Sequence, residues 1–289
     1  MLLAPAAAAY AAATARRVAR SGWRAPVPVI CCGNPGVGGS GKTTVALDLG
    51  RRLQARGRAV AFLTRGYGAD EDLLLAAVAP TFVDGDRAKA AQVAVAAGAD
   101  VLVMDDGLQN PTLEKTVSLL VVDGAVGFGN GRVLPAGPLR EPVAAAAGRC
   151  DACIMIGTDQ AGAAAVLPPG LPVLRAALRS RYEAAGLAGR PLFAFAGIAR
   201  PAKFFESLRE AGATVAGERD FPDHHGYTHD EVRSVLAAAQ RLGAVPVTTP
   251  KDAVRLPPGL AGAITVIDVA LAWDDLAAIE GVLDRALTA

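Results

Sequence analysis

A glycine-rich segment near the N-terminus constrains the fold of this chain more than any other feature. Residues 33–44 read GNPGVGGSGKTT, in which Gly36, Gly41, Lys42 and Thr43 satisfy the phosphate-binding pattern G-x-x-x-x-G-K-[ST]. The apolar run VPVICC precedes the segment, and TTVALDLGRRLQARG follows it with apolar residues at helical spacing. The sequence therefore predicts a strand, a turn and a helix in this order, which is the context that a phosphate-binding loop needs.

The residues of this turn are those of a nucleotide site. Glycines let successive backbone N–H groups and the helix N-terminus point at phosphate oxygens. Lys42 would reach the β- and γ-phosphates, and the Thr43 hydroxyl would ligate Mg²⁺. The alternative is a glycine-rich turn that holds no nucleotide. The predicted nucleotide-binding residues are Gly36, Val37, Gly38, Gly39, Ser40, Gly41, Lys42, Thr43 and Thr44.

A second candidate site element follows a later apolar run. ADVLVMDDG ends with Asp105 and Asp106, in the position where a phosphate-loop enzyme keeps the carboxylate that holds Mg²⁺. Carboxylates at the end of a parallel strand lie in the crevice where open α/β sheets bind ligands. Two solvated turn aspartates are the alternative interpretation.

The rest of the chain reads as an α/β protein in two parts. AVAFLTRGYG, ADVLVMDDG and VSLLVVDG are apolar runs typical of strands buried in a parallel sheet, and GFGNGRVLPAGPLREP is a long loop. The strand and helix patterns restart near residue 190. We expect an N-terminal helix over 1–25, a phosphate-loop domain with a parallel sheet over 26–188, and a smaller α/β domain over 189–289.

Charge and cysteine content exclude several classes of protein. The 289-residue chain has a formal net charge of +1, so no global field draws it to nucleic acid. Four cysteines do not form a disulfide framework and indicate a reducing compartment. Cys150 and Cys153 form a C-x-x-C that runs straight into a predicted strand, which favours core packing over redox or metal chemistry.

The N-terminal segment MLLAPAAAAYAAATARRVAR is alanine-rich and carries its first charge at Arg16. A secretory signal places its positive charge before the apolar stretch, and a spanning helix needs about 20 apolar residues, so neither description fits. A short apolar helix followed by arginines is able to lie on an anionic membrane surface. A helix that only caps the domain is the alternative.

Two further stretches are candidates for the side of the site that receives a phosphate. All three histidines, His224, His225 and His229, fall in FPDHHGYTH, and histidine is able to orient or tune a carboxylate base. A zinc site and a plain loop are the alternatives. Arg140 and Glu141 in LPAGPLREP place a phosphate-binding type of side chain and a carboxylate on the long loop, unless they form only a rim salt bridge.

Taken together, these motifs resemble the tetraacyldisaccharide 4′-kinase family, the lipid A 4′-kinases of Gram-negative bacteria. The resemblance runs in order through VPVICCGNPGVGGSGKT, LTRGYG, DEDLLLA, DDGLQN, VVDGAVGFGNGRVLPAGPLREP, FAFAGIARPAKFF, FPDHHGYT and TTPKDAVRL. It implies transfer of the γ-phosphate of ATP to the 4′-hydroxyl of a tetraacylated glucosamine disaccharide 1-phosphate at the cytoplasmic face of the inner membrane. Because the substrate implied by the resemblance is an acylated lipid, the N-terminal helix is expected to bind the membrane surface. The protein is expected to be a monomer.

The resemblance also implies roles for individual residues. Lys42 and Thr43 would act on ATP and Mg²⁺, with Asp105 and Asp106 at the metal. Asp70 would be the base at the sugar hydroxyl, with His224 as its partner, although the sequence alone does not separate His224 from His225. The resemblance also implies that three further residues belong to the site: Gln109, Arg140 and Glu141.

The chain departs from the family pattern in a few places. RGYG runs directly into ADED where the family usually has a longer insertion before its G-D-E-P, so a shortened loop precedes Asp70. Asn110 replaces a common histidine, and Pro250 replaces a usual glutamate. The competing hypothesis is a non-kinase ATPase of the partition or metal-insertion type, but Val37 stands where those proteins carry an additional lysine.

Overall fold

The computed structural model describes residues 3–66, 69–181 and 185–288; Tyr67 and Gly68 of the RGYG motif lie outside this range. The chain folds into two compact units. Unit 1 comprises Met1–Ala177 and Leu271–Ala289, and unit 2 comprises Leu178–Ala270. Unit 2 thus begins before the expected residue 189, and the closing helix, which was expected in the second domain, belongs to unit 1.

Unit 1 is built on a parallel sheet with its central strands fully buried. The sheet has eight strands in the order β12-β7-β6-β5-β1-β4-β2-β3. The described pairings from β3 across to β7 are all parallel. Its strands are β1 Val29–Gly33, β2 Val60–Thr64, β3 Thr81–Val83, β4 Val101–Asp105, β5 Val117–Asp123, β6 Ala152–Ile156, β7 Val173–Ser180 and β12 Val269–Trp273.

The helices of unit 1 connect and cover these strands. The chain passes into unit 2 within β7 and returns within β12. The helices are α1 Ala4–Val18, α2 Lys42–Ala55, α3 Ala69–Ala76, α4 Arg87–Ala96, α5 Val143–Ala147 and α9 Leu276–Thr288.

The apolar runs of the sequence account for the centre of this sheet. Every residue of β1, β2, β4, β5 and β6 is buried, as expected for parallel strands that are covered on both faces. The predicted strands at VPVICC, AVAFLT, ADVLVMD and VSLLVVD are confirmed. Strands β1 and β4 are parallel neighbours, so the turn after β1 lies at the same edge of the sheet as the end of β4. Asp105 and Asp106, which we call the Asp pair, stand at the end of β4.

Unit 2 is a smaller α/β unit with a parallel sheet of its own, in the order β11-β10-β8-β9. Alternate residues of β8 point to opposite faces: Ala194 packs with Phe204 of α6, whereas Phe195 packs with Val232 of α7. Helices therefore cover both faces. The elements are β8 Leu192–Ala196, α6 Pro201–Glu210, β9 Val215–Asp220, α7 His229–Arg241, β10 Val245–Thr248, α8 Pro250–Ala253 and β11 Thr265–Val266.

The predicted α/β class, with a parallel core sheet and a second α/β part, is confirmed. In the described part of the chain, no helix has both the length and the apolar character needed to cross a membrane. The helix α1 is largely exposed, as are its Tyr10 and its N-cap residue Leu3, and its last turn carries Arg16 and Arg17. A shallow groove of about 710 Å³ runs along it, lined by Leu3, Ala4, Ala7, Ala8, Ala11, Arg132, Val133 and Ala136.

Candidate active site

The glycine-rich turn lies between β1 and α2, with α2 beginning at Lys42. Gly41 is the N-cap of α2 in the left-handed conformation, with φ of 86°, and makes no side-chain cap. This conformation strains any residue with a Cβ, and a Cβ here would also lie 2.5 Å from Ile156 Cδ1, so the position favours glycine. Gly41 gives the N–H groups of the first turn of α2 no side-chain cap, and uncapped N–H groups at a helix N-terminus are suited to bind an anion.

The turn is held to the rest of unit 1 by Asn34, a residue that the sequence analysis did not single out. Its side-chain amide donates to Val121 O of β5, and its Oδ1 accepts from Gly36 N. The Gly/Pro loop, residues 127–142, contacts the other side of the turn: Val37 N donates to Pro138 O at 2.9 Å, and Arg140 N donates to Pro35 O at 2.6 Å. An Asn two residues before a glycine is a turn signal that would have identified it.

Two cations converge on Asp106 at the end of β4. Arg140 Nη1 lies 3.0 and 3.1 Å from the two carboxylate oxygens of Asp106. Lys42 Nζ lies 3.7 Å from Asp106 Oδ1 and also donates to Gly38 O at 3.3 Å. Asp106 itself has φ of 50°, an unusual conformation for a residue other than glycine, and such strain clusters at functional sites. The ion pairs of Asp106 with Arg140 and Lys42 therefore connect the Gly/Pro loop and the glycine turn to the Asp pair.

Asp105 lies beneath this cluster and is only 3% exposed. Burial raises its pKa to about 7, with a further contribution from the nearby Glu71 carboxylate, while a hydrogen bond from the Thr43 hydroxyl acts in the opposite direction. Its Oδ1 is buried and has no hydrogen-bond partner among the residues that the structure describes. A buried carboxylate oxygen left without a donor, beside a threonine hydroxyl, is the chemistry of a divalent-cation site.

Gln109, Arg140 and Glu141, predicted to belong to one site, lie together. Gln109 Nε2 donates to Glu141 Oε1 at 2.9 Å and to Asn34 O at 3.1 Å, and its Oε1 accepts from Arg140 at 3.3 Å. Glu141 is 2% exposed, and both of its oxygens accept from Arg149 Nη2 at 2.8 Å. Both oxygens of the Glu141 carboxylate are therefore engaged by neighbouring side chains, Oε1 by Gln109 and Arg149 and Oε2 by Arg149.

The acidic stretch before the predicted base begins helix α3. Asp70 is 8% exposed and lies in the first turn, beyond the carboxyl end of β2, the strand that pairs with β4. Glu71, which the sequence analysis did not single out, is close enough to Asp105 to raise its pKa. The first turn of α3 therefore adds carboxylates to the sheet edge where the glycine turn and the Asp pair lie.

A buried arginine was also missed from the sequence. Arg87 opens α4, is 1% exposed and donates from Nη1 to Asp84 O. Burial lowers its pKa, and the carboxylates of Asp106 and Asp105 oppose this shift. Its position after Asp84 and Asp86 in a loop gave no signal of burial, because arginine is rarely buried unless paired.

The histidines lie in unit 2. His224 and His225 belong to residues 221–228, a segment that we call the histidine loop, and His229 is the first residue of α7. His225 is committed to packing: its ring stacks on Phe221 at 4.9 Å, and its Nε2 lies 3.1 Å from Glu231 Oε2. His224 has φ of 57° and a side chain that is 54% exposed. The structure therefore separates the two neighbours, with His225 built into the unit and His224 presented at its surface.

Three further residues that the sequence analysis named are Asn110, Pro250 and Cys153. Asn110 caps its own turn, accepting from Thr112 N at 3.0 Å. Pro250 is the first residue of α8, a position that tolerates proline. Cys153 is fully buried in β6, and burial raises its pKa to about 12, which makes it an inert core thiol.

Comparison with known proteins identifies relatives over almost the whole chain. The family model described as tetraacyldisaccharide-1-P 4′-kinase matches residues 1–72 and 69–288. The tetraacyldisaccharide 4′-kinase of Gluconacetobacter diazotrophicus is 58% identical over 302 residues, covering 98% of this chain and 92% of the relative. That of Rhodospirillum centenum is 49% identical over 295 residues, covering 95% and 88%. The first alignment is longer than the 289-residue chain, so this chain lacks residues that its relative has.

A solved structure shares the fold. LpxK from Aquifex aeolicus, crystallised in complex with ATP, superposes with a TM-score of 0.78 at 24% identity and covers 99% of this chain and 100% of its own. The two segments matched by the family model overlap at residues 69–72, directly after the RGYG motif, where the sequence analysis expects a missing insertion.

Proposed function

The chain belongs to the tetraacyldisaccharide-1-P 4′-kinase family, and from this premise we propose that it transfers the γ-phosphate of ATP to the 4′-hydroxyl of a tetraacylated glucosamine disaccharide 1-phosphate, a step of lipid A biosynthesis. The observation that carries the proposal is the 58% identity to a tetraacyldisaccharide 4′-kinase over 98% of the chain. The connected cluster at the glycine turn supplies the residues that phosphoryl transfer needs, which are mainly positioning and charge-neutralising groups.

In this proposal ATP lies on the glycine turn, residues 36–44. Backbone N–H groups of the turn and of the first turn of α2 receive the phosphates. Lys42 and Arg140 now share Asp106, at 3.7 and 3.0 Å, and both side chains are poised to turn to phosphate oxygens when ATP arrives. Gln109, held by Glu141, keeps Arg140 in place from the other side.

The metal site in this proposal is formed by Thr43, Asp105 and Asp106. The residues fit Mg²⁺ because Asp105 keeps a buried oxygen without a donor among the described residues, next to a hydroxyl. Mg²⁺ is usually bound through one or two carboxylates and completes its shell with phosphate oxygens and water. Magnesium, when bound, would neutralise charge on the transferred phosphoryl group.

The acceptor side rests on Asp70 and His224. In the transfer, the bond from the γ-phosphorus to the oxygen of ADP breaks, a bond to the 4′-oxygen forms, and the hydroxyl proton passes to the Asp70 carboxylate. His224 orients or tunes that carboxylate. Exposure of His224 and the structural engagement of His225 support the choice of His224 as the partner.

In this proposal, α1 is the element that binds the membrane. Its exposed apolar residues, together with Arg16 and Arg17 in the last turn, suit a helix that lies in the interface of an anionic bilayer. The apolar groove along α1 has the chemistry to accept an acyl chain. We place the protein at the cytoplasmic face of the inner membrane, as a monomer that binds peripherally.

A nucleotide-driven ATPase of the partition type is the competing function. Val37 stands at the place of the additional lysine those proteins need, and its backbone N–H is bound to Pro138 O. Light scattering with and without Mg-ATP separates the two functions: a kinase keeps its monomer mass, and a partition-type ATPase doubles it.

The direct test of the proposed function is identification of the product. Purified protein in mixed micelles with Mg-ATP should convert the disaccharide 1-phosphate to a bisphosphate, with fragment masses that place the new phosphate on the distal sugar. Lys42→Ala should abolish conversion, whereas Lys89→Ala, an exposed lysine of α4, should not. ATP hydrolysis without any phosphorylated lipid in the wild-type protein would overturn the proposal.

A further inference from the structure

A buried carboxylate in unit 2 holds the histidine loop, although nothing in the proposed transfer assigns it a role. Asp252 of α8 is 0% exposed. Its Oδ1 accepts from Gly197 N at 2.8 Å and from the Tyr227 hydroxyl at 2.8 Å, and its Oδ2 accepts from the Thr249 hydroxyl at 2.6 Å. A fully buried carboxylate is costly unless it is satisfied in this way, so these donors and Asp252 depend on each other.

Arg255, one turn further along, binds the same loop through backbone carbonyls. Its Nη1 donates to Gly197 O at 3.0 Å and to His225 O at 3.2 Å, and its Nη2 lies 3.6 Å from Asp252 Oδ1. Asp252 and Arg255 thus bind the N–H and the carbonyl of Gly197 respectively. The peptide groups on both sides of Gly197 are fixed.

Gly197 in turn carries His224. The backbone N–H of His224 donates to Gly197 O at 3.1 Å, the same carbonyl that Arg255 holds. His224 has φ of 57°, in the left-handed region, and a histidine keeps that conformation only when its surroundings enforce it. The same N–H lies 3.1 Å from Asp223 Oδ1, and the ring Nε2 lies 3.8 Å from Asp223 Oδ2. Asp252 acts on this backbone through Gly197.

Tyr227 provides a second connection between Asp252 and the loop. Its ring packs edge-on against Phe195 at 5.6 Å and His225 at 5.0 Å, so its position does not depend on the hydroxyl. Burial and the adjacent Asp252 carboxylate raise the pKa of Tyr227, which keeps the hydroxyl protonated and able to donate. Removal of this hydroxyl alone therefore tests the connection without dismantling the packing.

We propose that Asp252 is a positioning residue, which fixes the backbone of the histidine loop and thereby the direction of the His224 side chain. The inference rests on the proposed function, in which His224 acts at the transfer step. Asp252 does not touch a reacting atom. Its effect reaches the reaction only through His224, so its loss should have no consequence for turnover once His224 is gone.

The test compares Asp252→Asn and Tyr227→Phe with Thr248→Val, a matched control. Thr248 is buried in the same unit and donates its hydroxyl to the backbone carbonyl Phe195 O at 2.8 Å, so its loss costs a comparable buried hydrogen bond that is not among the contacts between Asp252 and the histidine loop. The first readout is amide hydrogen exchange in the full chain. We expect exchange in residues 221–228 to rise about tenfold or more in the first two variants and to stay unchanged in Thr248→Val, at a similar loss of melting temperature.

The second readout is kinetic and uses the double variants with His224→Ala. We expect kcat to fall about 10²-fold in Asp252→Asn and less in Tyr227→Phe, with KM for both substrates little changed. In the His224→Ala background, Asp252→Asn should lower kcat no further.

Two results would overturn the proposal. One is an equal loss of kcat from Asp252→Asn in the presence and in the absence of His224, and the other is amide hydrogen exchange in the histidine loop that is the same in all variants. If the wild-type protein itself phosphorylates no lipid, the proposed function fails, and the exchange experiment alone then decides whether Asp252 holds the loop.

Discussion

Arg140 of the Gly/Pro loop lies 3.0 Å from Asp106, the residue that follows strand β4, and contacts both of its carboxylate oxygens through one nitrogen. The two residues are 34 positions apart in sequence, and this ion pair joins two segments that border the glycine turn. Because both side chains are only 24% exposed, the pair is partly shielded from solvent and stronger than a surface salt bridge.

Substitution of Arg140 by lysine should therefore impair the reaction although it keeps the charge. A lysine has no planar fork and does not hold Asp106, Gln109 and a phosphate group at the same time. We expect kcat/KM for Mg-ATP to fall about 10- to 100-fold. Steady-state kinetics measure this, with Arg241→Lys, an exposed residue at the end of α7, as the matched control. An unchanged kcat/KM in Arg140→Lys would remove Arg140 from the site.

Substitution of the two neighbouring histidines should affect different properties, stability for His225 and kcat for His224. His225→Ala removes the stacking on Phe221 and the contact with Glu231, so we expect a loss of about 1–2 kcal/mol in stability with kcat largely kept. His224→Ala should keep the melting temperature and lose kcat. Calorimetry and kinetics on both variants separate these outcomes, and a loss of turnover confined to His225→Ala would reverse the assignment.

Glu231 predicts a defined pH dependence of stability. It accepts hydrogen bonds from Thr228 and lies against His225, contacts that lower its pKa to about 2 from an ordinary value of 4.5. Because the folded-state pKa is depressed, its contribution to stability is complete above pH 4.5 and is lost as the pH falls towards about 2. Thermal unfolding should show Glu231→Gln less stable than the wild type at pH 7, with the difference shrinking across this window.

The control for this experiment is Asp230→Asn. Asp230 lies in the same first turn of α7 but is 94% exposed, so its substitution reports the general effect of a charge at a helix N-terminus. A destabilisation by Glu231→Gln no larger than that of Asp230→Asn, or one that grows at low pH, would contradict the assignment of the depressed pKa to these contacts.

Membrane attachment through α1 should depend on charge at its last turn. Replacement of Arg16 and Arg17 by glutamate should abolish flotation with anionic vesicles, because about 1 kcal/mol per basic residue is lost and repulsion is added. Flotation with zwitterionic vesicles should be weak in both proteins. Equal binding of the wild type and the variant to anionic vesicles would contradict an electrostatic role for these arginines.

The sequence predicted those parts of the fold that are determined locally. The strand, glycine turn and helix at residues 29–55 follow from composition and periodicity, and the buried apolar runs of β2, β4 and β5 follow from their continuity. The second unit was also predicted, but β9 was missed: VAGERD alternates polar and apolar residues at the edge of a sheet, and it gives only a weak strand signal.

Long-range features could not be predicted in this way. The helix α9 belongs to unit 1 because Glu280 binds Arg52 and Asp284 binds Arg56, pairs separated by 228 residues. Surface arginines and carboxylates give no sign of such partners in sequence. In the site, Arg87 and Asn34 were missed for the same reason, since their importance comes from burial and from backbone partners that only the fold brings close.

The most direct measurement is transfer of labelled γ-phosphate from Mg-ATP to tetraacyldisaccharide 1-phosphate in mixed micelles, by the wild-type protein and by Asp70→Ala. Asp70→Asn, which keeps the shape of the side chain, serves as a second variant, and unchanged melting temperatures confirm that each variant is folded. We predict rapid transfer by the wild type and a loss of about 10²- to 10⁴-fold in both variants, since each removes the base. Wild-type transfer that persists in both Asp70 variants would contradict Asp70 as the base, and absence of transfer in all three proteins would contradict the lipid kinase function itself.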